Sequence, residues 1–245
     1  MLLLHPFILP MHSPPLIDVI IPAYNESLAI GKVIRDIPAG LVRDIIVCNN
    51  NSTDDTAAQA RRAGAIVVDQ PKRGYGNACK AGMDYILMRQ ASDQPDIVVF
   101  LDGDFSDFPQ EMQSLISPIL EGKDMVIGSR VSGNPDPGSL TIPQRFGNWL
   151  ATTLIGMMYG FRYTDLGPFR AIRWQKLLSL GMEDKNYGWT VEMQVKALQH
   201  KLRCAEVPVS YRNRIGKSKV SGTVKGSVLA GHKILWTIFK SLLST

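Results

Sequence analysis

Short apolar runs alternate with amphipathic stretches along most of the chain. Runs rich in apolar and β-branched residues predict strands at residues 16–21, 44–48, 65–68, 97–101, 125–127 and 203–211. Helical spacing of apolar positions predicts one helix capped by Ser27, an Ala-rich helix ending near residue 63, and helices at residues 76–89, 109–120, 146–158, 189–200 and 223–243. Alternation at this pitch requires βαβ crossovers, so it predicts an α/β fold with a mostly parallel sheet and helices on both faces.

The domain organisation follows from where this pattern is interrupted. Residues 1–15 are apolar but broken by prolines, which predicts a flexible extension, and Met11 is an alternative start. One domain is expected over residues 16–222, with a glycine- and proline-rich flexible loop at 133–138. Residues 223–245 are expected to form a C-terminal amphipathic helix that either lies on a membrane surface or packs on the domain.

Positive charge is concentrated at the C-terminal end. The chain carries a net charge of +5, and residues 201–245 hold six Lys and three Arg against the single Glu206. This asymmetry favours an anionic partner such as phosphate or a membrane surface. Nucleic acid is the weakest candidate, because the tail lacks the interleaved aromatic residues of a base-stacking surface. The three cysteines lack metal-ligand spacing and fit a reducing cytoplasm.

The strongest chemical signal is an acidic pair directly after a buried strand. Residues 98–101 are apolar, and they lead into Asp102, Gly103 and Asp104. Open α/β folds bind ligands at the carboxyl ends of their strands. Two carboxylates at such a place suit Mg²⁺ or Mn²⁺ holding a diphosphate, and Gly103 leaves the backbone open to a ligand.

Seven motifs in a fixed order strengthen this interpretation. The chain resembles the inverting family 2 glycosyltransferases of GT-A fold, within them the dolichol-phosphate mannose synthase-like branch that uses polyprenyl phosphates. The motifs are Ile-Pro-Ala-Tyr-Asn-Glu at 21–26, Asn-Ser-Thr-Asp at 51–54, Arg-Gly-Tyr-Gly at 73–76, Asp-Gly-Asp at 102–104, Gly-Ser-Arg at 128–130, Thr-Asp-Leu-Gly-Pro-Phe-Arg at 164–170 and Arg-Ile-Gly-Lys-Ser-Lys at 214–219.

The resemblance implies a role for each matching position. Donor-binding residues would be Pro22, Tyr24, Glu26, Asn49, Arg73, Asp102 and Gly103, with Asp102 and Asp104 at the metal. Arg130 and Arg145 would bind phosphate groups of donor or acceptor, and the segment that contains Arg214, Ser218 and Lys219 would close over the acceptor phosphate. Asn49 stands where the family usually has an aspartate that contacts the nucleobase, so the base preference stays open. The chain also lacks the paired C-terminal transmembrane helices of many relatives, which leaves a peripheral contact with lipid.

Asp165 and Glu192 are the candidate general bases. A hydroxyl acceptor must lose a proton, whereas a phosphate acceptor is already anionic and needs no base. Asp165 lies in a glycine- and proline-rich segment, which favours a place in the site. Glu192 is either a base or a carboxylate stabilising a helix start.

These features together predict an inverting transferase. It would move a hexose from a UDP-glucose or GDP-mannose type donor to a polyprenyl phosphate at the cytoplasmic membrane face. The alternatives are transfer to another lipid or soluble acceptor, and a non-catalytic nucleotide-binding module.

Overall fold

A seven-stranded sheet forms the centre of the protein in the computed structural model, which describes residues 14–216, 231, 235–238 and 240. The strands are β1 (Ile17–Ala23), β2 (Asp44–Asn49), β3 (Ile66–Asp69), β4 (Ile97–Phe100), β5 (Met125–Pro135), β6 (Arg170–Arg173) and β7 (Cys204–Tyr211). Their order is β3-β2-β1-β4-β6-β5-β7. Every pairing is parallel except those of β6, which runs antiparallel to β4 and β5. The predicted mostly parallel α/β sheet is confirmed.

Helices cover both faces of this sheet because alternate strand residues point to opposite sides. The helices are α1 (Ile30–Asp36), α2 (Thr56–Arg62), α3 (Tyr75–Leu87), α4 (Met112–Leu120), α5 (Ile142–Tyr159), α6 (Trp174–Ser179) and α7 (Trp189–Gln199). In β4, Val98 and Phe100 join the core under α3, α5, α6 and α7. Val99, between them, joins the core under α1, α2 and α4.

Two local predictions were wrong, and two elements were missed. Residues 133–135, expected in a flexible loop, extend β5, because β7 pairs with them beyond an irregularity in the register. Ser27 does not cap α1, which begins at Ile30; the Ser27 backbone N–H instead donates to Asp54. The strand β6 and the helix α6 were not predicted.

The topology brings several strand ends to one edge of the sheet. β1 pairs with β4 in parallel from Ile17↔Ile97 to Ile20↔Phe100, so the turn after β4 lies beside the end of β1. β7 reaches the same turn through an isolated bridge between Asp107 and Tyr211. This edge therefore gathers most of the predicted site residues.

Only part of the predicted C-terminal helix lies among the described residues, namely 231, 235–238 and 240, all helical. Ile238 is fully buried in the core that carries α7, and Lys240 lies 3.5 Å from Glu183. At these positions the helix packs on the domain, as one of the two interpretations expected. Residues 1–13, with Met11, lie outside the described part. None of the described helices is both long and apolar enough to cross a bilayer.

Candidate active site

Three carboxylates crowd the turn after β4. The side chain of Asp102 accepts a hydrogen bond from the Tyr75 hydroxyl at 3.1 Å. Asp104 accepts from the backbone N–H of Ser106 at 3.0 Å and from its hydroxyl. Asp107 accepts from the backbone N–H of Asp102 at 3.2 Å, while its buried Oδ1 has no partner among the described residues. The turn thus concentrates negative charge where little water reaches it.

Burial penalises this charge. Burial first, and the charge of Asp104 second, raise the pKa of Asp102 to about 7, while the hydrogen bond from Tyr75 lowers it by less than Asp104 raises it. Burial, together with the charge of Asp102, also raises the pKa of Asp107 well above its ordinary value. A cation at this turn would be favourable, since it would offset the repulsion between neighbouring carboxylates.

The donor atoms fit a divalent cation only in part. Asp102 and Asp104 supply the hard oxygens that Mg²⁺ or Mn²⁺ prefers. Within the described part of the chain, no three His, Cys, Asp or Glu side chains form a group able to hold a metal ion. The residues therefore suit a cation that completes its coordination with phosphate oxygens and water, as Mg²⁺ usually does.

Arg214 joins a predicted donor-binding carboxylate to a predicted metal-binding one. Its guanidinium lies 3.1 Å from Asp104 and 2.9 Å from Glu26. The next residue, Ile215, donates its backbone N–H to the Asp104 carbonyl at 2.9 Å. The segment after β7 is therefore fastened directly to the acidic turn.

Arg212 makes the second anchor of this segment. Its backbone N–H donates to the Ser106 carbonyl, and its guanidinium donates to the Phe105 carbonyl and lies over the Phe105 and Phe108 rings, 3.3 and 4.3 Å from their centroids. Stacking and hydrogen bonding together fix the path of the chain from β7 across the turn.

Arg130 and Asp165 form a buried bidentate ion pair. The Arg130 Nε and Nη2 donate to the two carboxylate oxygens of Asp165 at 2.7 and 2.8 Å, and the Arg130 backbone N–H donates at 2.8 Å. Asp165 is fully buried, and 14% of the Arg130 side chain is exposed. Burial alone would lower the pKa of Arg130, but the charge and hydrogen bonds of Asp165 outweigh it and raise that pKa.

Side chains from three other elements hold the turn that carries Asp165. Glu206 on β7 accepts from the backbone N–H groups of Thr164 and Asp165. Asn148 on α5 accepts from the N–H of Leu166 and donates to the Thr164 carbonyl, and Gln194 on α7 donates to the Asp165 carbonyl. The position of Asp165, and through it of Arg130, is thus fixed from several sides.

The carboxylate of Glu192 is also bound by neighbouring groups. Its two oxygens accept from the backbone N–H groups of Glu183 and Asp184 at 2.9 and 2.7 Å, and Lys196 lies 2.8 Å away. This carboxylate holds the loop before α7. The same loop contacts the Arg-Gly-Tyr-Gly turn, because Asn77, the residue after that motif, donates its backbone N–H to the Lys185 carbonyl.

The predicted donor side lies at the ends of β1, β2 and β3. Pro22 is near the end of β1, and the Arg73 guanidinium lies over the Tyr24 ring, 4.6 Å from its centroid. Asn49, at the end of β2, donates to Asp69 at the end of β3 at 2.7 Å. An aromatic ring, a cation and an amide–carboxylate pair therefore border one edge of the sheet.

The remaining predicted site residues are Gly103, Arg145, Ser218 and Lys219. Gly103 does not open the backbone to a ligand, because a Cβ there would meet core atoms of Ile21, Ala23 and Ile30 at 3.3–3.4 Å. Arg145 is exposed on the first turn of α5, and among the described contacts none joins its side chain to Arg130 or the acidic turn. Ser218 and Lys219 lie outside the described residues.

Several residues of this arrangement were not singled out from the sequence, namely Tyr75, Asp107, Asn148, Gln194 and Glu206. Glu206 offered a signal, as the only acidic residue in a strongly basic tail. Asp107 offered another, since it follows the Asp-Gly-Asp motif by three residues. Side chains such as Asn148 and Gln194 carry no comparable pattern.

The sequence matches a known family and several known proteins. The glycosyl transferase family 2 model matches residues 18–179. An uncharacterized glycosyltransferase of Mycobacterium bovis is 36% identical over 217 residues, which cover 87% of this chain and 94% of the relative. A dolichyl-phosphate hexose transferase of Haloferax volcanii is 32% identical over 86% of this chain and 89% of its own length.

Solved structures share the fold. Glucosyl-3-phosphoglycerate synthase of Mycobacterium tuberculosis, in complex with Mn²⁺, UDP-glucose and phosphoglyceric acid, superposes with a TM-score of 0.73 at 24% identity. The likeness covers 93% of this chain and 79% of that one. It confirms the predicted GT-A fold.

Proposed function

This chain belongs to glycosyltransferase family 2, and we propose that it transfers a hexose from a nucleoside diphosphate sugar to an acceptor phosphate. The preferred acceptor is a polyprenyl phosphate at the cytoplasmic face of a membrane. The donor is of the UDP-glucose or GDP-mannose type. Family membership leaves open whether the nucleophile is a hydroxyl or a phosphate, and the arrangement of the site supports a phosphate.

The main support for a phosphate acceptor is that both candidate bases already make hydrogen bonds and ion pairs within the protein. The oxygens of Asp165 are bound by Arg130, and those of Glu192 by two backbone N–H groups and Lys196. Both carboxylates are buried, with Asp165 at 0% and Glu192 at 4% exposure. A base must come within hydrogen-bond distance of the proton it takes. A phosphate acceptor avoids this requirement because it is anionic at neutral pH.

The reaction then needs positioning and positive charge. An acceptor phosphate oxygen forms a bond to C1 of the sugar as the bond from C1 to the diphosphate breaks on the opposite face, which inverts C1. Arg130 is oriented by Asp165 to bind phosphate with the nitrogen that Asp165 does not use, and Arg214 adds a second guanidinium. Asp102 and Asp104 would hold Mg²⁺ or Mn²⁺, which stabilises the charge of the departing diphosphate.

A lipid acceptor is supported by an exposed apolar stripe on α5. Ile142, Phe146 and Trp149 recur at helical spacing, are 84%, 62% and 57% exposed, and include a ring pair 5.9 Å apart. The same helix contributes Asn148, which holds the turn that carries Asp165. A peripheral contact through this stripe would place the lipid phosphate near Arg130. The dolichyl-phosphate hexose transferase among the relatives is consistent with such an acceptor.

A soluble phosphorylated acceptor is the alternative. The same cations would bind its phosphate, and the structural neighbour binds phosphoglyceric acid. In that case the α5 stripe would have no part in acceptor binding.

The test is an acceptor comparison with radiolabelled nucleotide-sugars. The purified protein is incubated with each donor and either a polyprenyl phosphate, the corresponding polyprenol, or soluble phosphomonoesters including phosphoglyceric acid. We expect transfer to the polyprenyl phosphate and none to the polyprenol. Transfer to a phosphomonoester alone supports the alternative. Nucleotide binding without transfer or donor hydrolysis indicates a non-catalytic module.

A further inference from the structure

The position of Arg214 differs from the role that the family resemblance implies. That resemblance places it on the acceptor phosphate, whereas the structure places its guanidinium between Glu26 and Asp104. These carboxylates lie at the ends of β1 and β4, on the side expected to hold donor and metal. An internal cation thus already bridges two groups that a ligand would need.

Asp104 leaves little room for a second cation. Its Oδ1 accepts two hydrogen bonds from Ser106, and its Oδ2 lies 3.1 Å from the Arg214 guanidinium. A divalent ion bound to a carboxylate oxygen sits about 2.1 Å from it. Two cations on one oxygen would lie within a few ångströms and repel each other. The ion and Arg214 therefore weaken each other's interaction with Asp104 in this geometry.

Arg214 also has a donor ready for another acceptor. Its Nε is buried and makes no hydrogen bond to any residue that the structure describes. Guanidinium groups bind phosphate through two neighbouring nitrogens, and Nε is one member of such a pair. Nε forms that pair with Nη2, which donates to Glu26 at 2.9 Å, whereas Nη1 faces Asp104. In its present position Nε has no acceptor among the described residues, and a phosphate beside the guanidinium would supply one.

We propose that Arg214 and the divalent cation compete for Asp104, so that cation and donor diphosphate bind together and release Arg214 toward phosphate. This inference rests on the proposed function. It makes Arg214 a residue that sets the order of binding, since phosphate binding by its guanidinium follows cation entry. The cation alone should bind weakly, and a nucleoside diphosphate should strengthen its binding.

The test measures Mn²⁺ binding directly, through the electron paramagnetic resonance signal of free Mn²⁺, with and without UDP or GDP. Arg214→Gln removes the competing charge, and we expect it to bind Mn²⁺ alone at least about tenfold more tightly than the wild type. That factor is the lower end of what a hydrogen bond to a charged group contributes. UDP or GDP should then increase the Mn²⁺ affinity of Arg214→Gln by a smaller factor than that of the wild type.

Two further variants control the measurement. Arg214→Lys keeps the charge and should remain closer to the wild type than Arg214→Gln. Lys32→Gln removes an exposed cation that lies 5.7 Å from the Phe105 ring, and it should leave Mn²⁺ affinity within about twofold. Thermal melting confirms that each variant is folded.

The outcomes separate this inference from the proposed function. If the wild type binds Mn²⁺ with UDP or GDP but Arg214→Gln binds Mn²⁺ alone no more tightly, the competition is refuted and the proposed function stands. An equal gain in Lys32→Gln also refutes it, because the effect is then general electrostatics. If no variant binds Mn²⁺ even with nucleotide, the metal-dependent function fails as well.

Discussion

The buried pair between Arg130 and Asp165 gives a prediction that separates positioning from base catalysis. Asp165→Asn keeps the size of the side chain but removes its charge. The amide can accept only through one atom, so its N–H₂ group must face a guanidinium or backbone N–H. Three hydrogen bonds of 2.7–2.8 Å are at stake, in a place where Asp165 is fully buried.

We expect Asp165→Asn to lower the free energy of unfolding substantially. Removing one partner of a buried pair costs about 3–5 kcal/mol, because the other charge is left without compensation. For a domain of this size, that corresponds to a decrease in Tm of about 6–20 °C. Urea denaturation measures the free energy of unfolding, and Arg130→Met together with the double variant completes a double-mutant cycle. We expect the double variant to lose less than the sum of the two single changes.

A matched control lies on the surface. Asp84 pairs with Lys80 at 3.1 Å on α3, with 54% of its side chain exposed, so Asp84→Asn should cost less than about 1 kcal/mol. The reasoning is refuted if Asp165→Asn is as stable as the wild type while turnover falls by more than about a hundredfold. That pattern is the one expected of a general base whose structural role is small.

Three further outcomes are expected. Gly76→Ala should destabilise the protein by roughly 1–3 kcal/mol or more, because its Cβ would lie 1.9 Å from a carbonyl oxygen of the loop before α7. The control is Gly147→Ala, which should leave the stability unchanged because a Cβ there meets nothing within 4 Å, and thermal melts compare the two variants. Hydrogen bonds from Arg203 lower the pKa of Asp124, so Asp124→Asn should be less stable than the wild type at pH 7. The difference should shrink as the pH falls from about 4, the ordinary pKa of an unfolded aspartate, to the lower pKa of the folded carboxylate; denaturation curves across pH would contradict this if the difference stayed constant. Transfer should require Mg²⁺ or Mn²⁺ and should be lost in Asp104→Asn with the fold intact, and full activity in excess EDTA would exclude this role.

The fold could be predicted because its signals are local. Buried strands such as β4 appear as apolar runs, and the alternation with helices determines the parallel topology. The strand β6 (Arg170–Arg173) was missed because two of its four residues are arginines. Arg170 is nevertheless buried, since backbone carbonyls of the Gly167 and Thr190 region accept from it. Such compensation depends on residues distant in sequence, which composition does not reveal.

The candidate site could be located but not fully interpreted. The Asp-Gly-Asp motif identified the acidic turn, yet Gly103 proved to serve packing against Ile30 rather than ligand access. Asp165 and Glu192 drew attention as carboxylates, but their partners decide what they can do. Those partners are backbone N–H groups and an arginine brought close by tertiary structure. A sequence states which groups are present, whereas their availability follows from packing.

The most direct test of the central claim is the linkage in the transferred product. The purified protein, a nucleotide-sugar and a polyprenyl phosphate are incubated with Mn²⁺, and the lipid product is analysed by ³¹P and ¹³C nuclear magnetic resonance. The proposal predicts a phosphodiester that joins the lipid phosphate to C1 of the sugar, with the anomeric configuration opposite to that of the donor. A sugar attached to a hydroxyl oxygen, with the lipid phosphate still a monoester, would contradict it.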